Sequence, residues 1–180
     1  IMAMTLLADN TADTTDLASV SFTSSIDSTY KLYVFKFYGI NPASDGEDFE
    51  FNGSIDGGSN YNVTKTTTFF AAQHEESDAT PELAYQASRD VAQGTGFQCL
   101  SMSLGNGSDE SCAGTLWLFN PSSTTYVKHF YSRVAGYKSN SAVLDSFSAG
   151  YFNNTNDIDA IQFKMSSGNM DGTIKMYGVG

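Results

Sequence analysis

Basic residues are scarce in this 180-residue chain. Nine lysines and arginines face twenty aspartates and glutamates, for a net charge of −11. A surface with that balance repels phosphate backbones and anionic lipid, so nucleic acid and membrane surfaces are disfavoured as partners. No apolar run approaches the roughly 20 residues of a bilayer-spanning helix. Charged residues of both signs reach only 16%, well below the usual quarter. With three prolines and sixteen glycines, a collagenous or low-complexity chain is excluded. What is plentiful is aromatic: thirteen Phe and ten Tyr, within a 41% hydrophobic content that a disordered chain does not have. One well-cored domain is expected, with a folded surface of roughly 8,500 Å². Neither a disulfide nor a metal is needed to make it fold.

Residues that carry chemistry are also few. Of the two histidines, His129 sits in the aromatic run Tyr126–Phe130 and reads as packing. His74 precedes Glu75, Glu76 and Asp78, a solvated acidic loop without the convergent ligand spacing of a Zn²⁺ site. There is no nucleophile elbow, no Gly-rich phosphate loop and no Cys/His pair in a catalytic setting. Two Asx-rich loops suit an oxygen-liganded Ca²⁺, one with Asn106, Asp109 and Glu110, the other with Asn153, Asn154, Asp157 and Asp159. Such loops also exist simply to make turns. No other cofactor is expected. Cys99 and Cys112 flank the turn former Gly105-Asn106-Gly107-Ser108. Across a hairpin they form either a candidate disulfide or a pair of small apolar residues.

Strand signals recur from end to end. Leu17–Phe22 alternates apolar and small polar residues, and Tyr30–Tyr38 is rich in aromatic and branched side chains. Phe49, Phe51 and Ile55 continue at period two, with Gly53 marking a bulge or close approach. Further strands are expected over Val63–Ala71, Phe97–Leu104, Gly114–Phe119, Tyr126–Tyr137, Val143–Phe152, Ile158–Met165 and Gly172–Tyr177. The helix candidate is Pro81–Ala92, where Leu83, Ala87 and Val91 recur every four residues. About ten strands with at most one short helix predict an all-β, antiparallel, two-sheet jelly-roll sandwich.

Residues 1–16 are expected to form a loose polar arm, and residues 17–180 the single domain. The opening Ile1-Met2-Ala3 lacks a basic signal-peptide n-region, and a chain starting at Ile is expected to continue upstream. The predicted core includes Phe22, Leu32, Val34, Phe49, Phe51, Phe69, Leu116, Leu118, Phe130, Phe163 and Ile174. Alternation sets Trp117 on the face opposite Leu116 and Leu118. There, with Tyr126, it is a candidate platform for a sugar ring or a partner surface.

Several runs carry a resemblance. Ser25–Phe35, Gly39–Ala43, Phe119–Phe130 and the closing Met165–Gly178 resemble a family of marine bacteriophage structural proteins, over nearly the whole chain. Cys99 and Cys112 depart from that family's pattern. The resemblance implies a non-enzymatic virion protein, a tail-fibre tip or capsid decoration. Such a protein is made in the host cytoplasm and then displayed outside the cell. It further implies a homotrimer, contact with other virion proteins through the N-terminal arm, and host-surface polysaccharide as a candidate ligand. No catalytic residue is carried over. The alternatives are a secreted carbohydrate-binding module or lectin and, behind it, a β-sandwich enzyme cleaving glycans with two carboxylates from distant strands.

Overall fold

The computed structural model describes residues 3–11, 13–79 and 81–180. Its twelve strands are β1 (Met4–Asp9), β2 (Val20–Phe22), β3 (Leu32–Pro42), β4 (Glu47–Ser54), β5 (Lys65–Glu75) and β6 (Glu82–Tyr85), followed by β7 (Gln98–Leu104), β8 (Cys112–Phe119), β9 (Lys128–Lys138), β10 (Ala142–Phe152), β11 (Ala160–Met165) and β12 (Met170–Val179). Every pairing is antiparallel. Eight strands run in the order β1-β12-β3-β8-β9-β10-β5-β6, and four in the order β2-β11-β4-β7. A single residue pair, Leu104↔Lys138, joins β7 to β9 and links the two sheets.

The fold is therefore an all-β antiparallel sandwich, as the alternation predicted. Successive connections mostly cross from one sheet to the other, but the eight-to-four split departs from an eight-stranded jelly roll. Between the sheets lies a core dense in phenylalanine. The Phe163 ring on β11 lies 5.2–6.2 Å from the rings of Phe22, Phe35, Phe37, Phe49 and Phe51, while Phe51 reaches Phe130 on β9 at 5.0 Å. Rings at these separations add edge-to-face and offset stacking to the burial of apolar area. A satellite cluster of Phe69, Ala71, Cys99, Met102 and Leu144 fills the space between β5, β7 and β10. Gly53 is a point of close approach, since a Cβ there would lie 2.9 Å from Phe152.

Four expectations need correction. Among the described residues there is no helix. The stretch expected to form one holds β6, whose Leu83 and Tyr85 pair with Ala72 and Phe70 of β5, followed by a turn. An available sheet edge overrode a weak period-four pattern. Most of the expected loose arm is also ordered. Met4–Asp9 is a strand against β12, and Leu17 bridges Met170. Ala3 N–H donates to Gly180 O at 3.0 Å, and Gly180 N–H to Ala3 O at 3.4 Å. The arm's Ile1, Met2 and Ala12 lie outside the described residues.

The expected Cys99/Cys112 hairpin does not form, because β9 lies between β8 and β7 in the sheet. Both cysteines are buried free thiols. In β3, finally, the core between the sheets takes Tyr33, Phe35 and Phe37, so Leu32 and Val34 face outward, Leu32 half-buried and Val34 buried there. The other predicted core residues are all buried, between the sheets or in the satellite cluster.

Candidate functional site

The two sheets have unlike outer faces. On the small sheet, the outward positions of β4 and β11 carry Glu50, Asn52, Gln162 and Lys164. Residues 86–97 fold over part of that face. Arg89 Nε meets the Asp48 carboxylate at 2.6 Å, Asn52 Nδ2 donates to Thr95 O at 2.9 Å, and Lys164 lies over the Phe97 ring at 4.7 Å. Burial pushes the Asp48 and Glu50 carboxyls up from their ordinary values, against the pull of Arg89 and Lys164 respectively. Two raised carboxyls in one place suit acid–base chemistry, but the cavity beside them is only about 150 Å³, below the usual ligand-site range of about 300–1,000 Å³.

The large sheet carries aromatic side chains outside as well as inside. Because directly opposed residues in an antiparallel pair share a face, the register defines its outward rows. One row runs Tyr177, Val34, Trp117, Tyr131, Ala149, Thr68 from β12 to β5. The next runs from Lys36 through Thr115, Arg133 and Phe147 to Phe70 and Tyr85. Trp117 stacks on Tyr131 with centroids 4.6 Å apart, and Phe119 stacks on the same ring at 5.6 Å. Further along, Phe147 stacks on Phe70 at 4.8 Å. The Arg133 guanidinium lies 5.0 Å from the Phe147 centroid while its Nε and Nη2 donate to both Asp145 oxygens at 3.0 and 2.7 Å.

This face is grooved. About 420 Å³ opens between Trp117, Arg133 and Val143 over a floor of Ala113, Thr115 and Ala135. A second groove of about 410 Å³ lies on the other side of Trp117, against Leu32, Val34 and Lys36. A third of about 630 Å³ runs off the far end, between Tyr137, Val143 and the 74–78 turn, where His74 Nε2 sits 3.1 Å from Asp78 Oδ1. An aromatic wall, a small-residue floor and a fixed Arg–Asp pair can hold either a flat apolar surface or a sugar ring.

Trp117 lies where alternation put it, half-buried on this face. Tyr126 does not join it. It stands exposed in the loop before β9, its N–H bonded to Ser123 Oγ at 3.1 Å. Of the cation candidates, Glu110 accepts the Gly107 N–H at 2.8 Å, and Asn106 Nδ2 donates to Ala43 O at 3.4 Å. Asp109 sits in the same turn, between β7 and β8. Asp159 accepts the Gly57 N–H at 3.0 and 3.1 Å, while Asp157 lies near Lys128. In the 153–157 loop the carbonyls of Asn154 and Asn156 accept the Lys128 ammonium at 2.9 and 2.5 Å, so a protein cation already occupies that position. Among the described residues, no three His, Cys, Asp or Glu side chains converge as a metal site.

The outward partners of Trp117 were missed in the sequence, above all Tyr131, Arg133, Phe147 and Phe70. The signal that finds them is parity, since each is an odd step from a core residue on its own strand. Comparison with known proteins finds no matching family, no similar curated protein and no similar solved structure.

Proposed function

We propose that this chain is a non-enzymatic virion surface protein, a tail-fibre or capsid decoration subunit assembled as a homotrimer and displayed outside the cell. The observation that carries this reading is the contrast between the two outer faces, polar on the small sheet and aromatic on the large one. A subunit with one face for water and one for contact is what a particle coat requires. The acidic balance and the resemblance to marine phage structural proteins support it. Gold-labelled antibody imaging and mass spectrometry of purified particles test it. The chain is expected at stoichiometric copy number on the particle surface, and its absence from particles overturns the reading.

Trp117, flanked by the Arg133–Asp145 pair, favours a second reading, a carbohydrate-binding module or lectin. Titration with host-surface polysaccharide while following Trp117 emission separates the two. Saturable quenching by a free monomer supports the lectin. A reducing-end assay in the same mixture reports any cleavage.

A further inference from the structure

Nine large hydrophobic side chains are exposed among the described residues, and eight of them stand at outward positions of the eight-stranded sheet. They form two groups. Met4, Leu6 and Tyr38 lie toward the β1 edge, whereas Phe70, Leu83, Tyr85 and Val143 lie toward the β6 edge. Tyr131, stacked under Trp117, lies between them. The ninth, Tyr126, is in a loop. Leu83 is 71% exposed and Val143 58%, values that leave most of each side chain in water.

We infer that this face is covered by a second copy of the same chain. The inference rests on the reading of the protein as an assembling subunit, and charge points to the occupant. The outward acids of the eight strands are Asp9, Asp145 and, at the far end of β12, Asp171, matched by Lys36, Lys175 and Arg133. A chain at −11 repels its own kind over the rest of its surface. The strand positions of this face thus balance, and at its rim Glu76 and Asp90 accept from the Tyr137 and Tyr85 hydroxyls, so two copies meet less repulsion there than elsewhere on the surface. A glycan has no means of covering Leu, Met and Val spread across a whole sheet.

Area agrees. Eight strands at about 4.8 Å spacing and about 30 Å length present roughly 1,000 Å², against about 800 Å² per partner in a standard stable interface. Sheets packed face to face at about 10 Å bury such a surface in water-free contact. The two groups also let the β6 side of one copy meet the β1 side of the next, which is the heterologous contact a ring requires.

The test is the solution mass of the full chain by sedimentation velocity, compared with a Leu83→Glu/Val143→Glu double variant and a Gln162→Glu control on the polar sheet. Both targets are exposed, so the fold is expected to hold, and circular dichroism checks it. Wild type and control are expected at two or three times 19.4 kDa, and the double variant at the monomer mass. Should the double variant misfold, hydroxyl-radical footprinting of the wild type serves instead, with oxidation of Tyr85 and Tyr131 falling as concentration rises. A wild type that stays monomeric at all concentrations overturns the inference, as does an oligomer that the double variant leaves intact. So does a monomer whose Trp117 answers only to polysaccharide. If particles still contain the chain after such a failure, the virion reading stands and a different coat protein covers this face.

Discussion

Lys65 and Lys128 stand on either side of Phe152 in one cross-strand row, both fully buried, and each sends its ammonium into a different loop. Lys65 Nζ donates to Gly96 O at 2.5 Å, and Lys128 Nζ to the carbonyls of Asn154 and Asn156. The two cations close one end of the core by satisfying loop carbonyls that an apolar side chain would leave unpaired.

Burial pulls Lys65 down to about 8 from its ordinary 10.5. Between those values the unfolded chain holds a proton that the folded chain has released, so the contribution of Lys65 to stability rises with pH. The buried thiols of Cys99 and Cys112 act in the opposite sense above about pH 9, where unfolded thiols ionise first. The difference between wild type and Lys65→Met isolates the lysine. Urea unfolding is expected to show that difference moving in favour of wild type from pH 7 to pH 10, by at most about 3 kcal/mol. A flat difference would mean an ordinary, solvated amine.

Phe163 touches five other phenylalanine rings and has no exposure. Phe163→Ala should cost about 3–5 kcal/mol in denaturant unfolding, through lost burial and the cavity left behind. Leu32→Ala, on the outward side of β3 and only half-buried, should cost well under half of that. Equal losses at the two sites would contradict the register of β3.

Removing Arg89 leaves the Asp48 carboxylate among buried groups without its counter-charge. Arg89→Leu is expected to cost on the order of 2 kcal/mol at neutral pH, below the figure for a fully buried pair because Arg89 is about one-third exposed. Asp48 already has a raised folded value, so its ionisation costs stability as pH rises above its ordinary value of 3.8. The variant raises that value further. Its deficit should therefore shrink as pH falls toward 4, measured as thermal midpoints across an acid series.

Burial raises both thiols and shields them. A thiol-specific colorimetric reagent at neutral pH is expected to find no reactive group in the native protein and two after unfolding. A disulfide would give none in either state.

Period-two patterning made most strands legible, and with them Phe49, Phe51, Phe69 and Phe130 as core. It failed where both parities are apolar. In Leu32–Phe37 either set could face inward, and the one discriminating residue was Lys36, which shares the parity of Leu32 and Val34 and belongs outside. Trp117 was placed on the correct face because its neighbours Leu116 and Leu118 left no choice. Its platform was not legible, since Tyr131, Phe147 and Phe70 come from other strands, and cross-strand register is a property of the assembled sheet. The separation of Cys99 from Cys112 had the same origin. A turn signal between two strands does not reveal that a third strand will be inserted between them.

The reciprocal hydrogen bonds between Ala3 and Gly180 extend the β1–β12 ladder one residue beyond Met4↔Val179. That arrangement fixes how the edge answers to mechanical load. Force pulling Ala3 away from Gly180 would open the ladder like a zipper, one hydrogen bond at a time, and would lift Met4 and Leu6 off the outer face first. Force between Ala3 and Lys175, at opposite ends of the same ladder, would strain all of those bonds together in shear. The edge strand is therefore weak to one direction of pull and strong to the other.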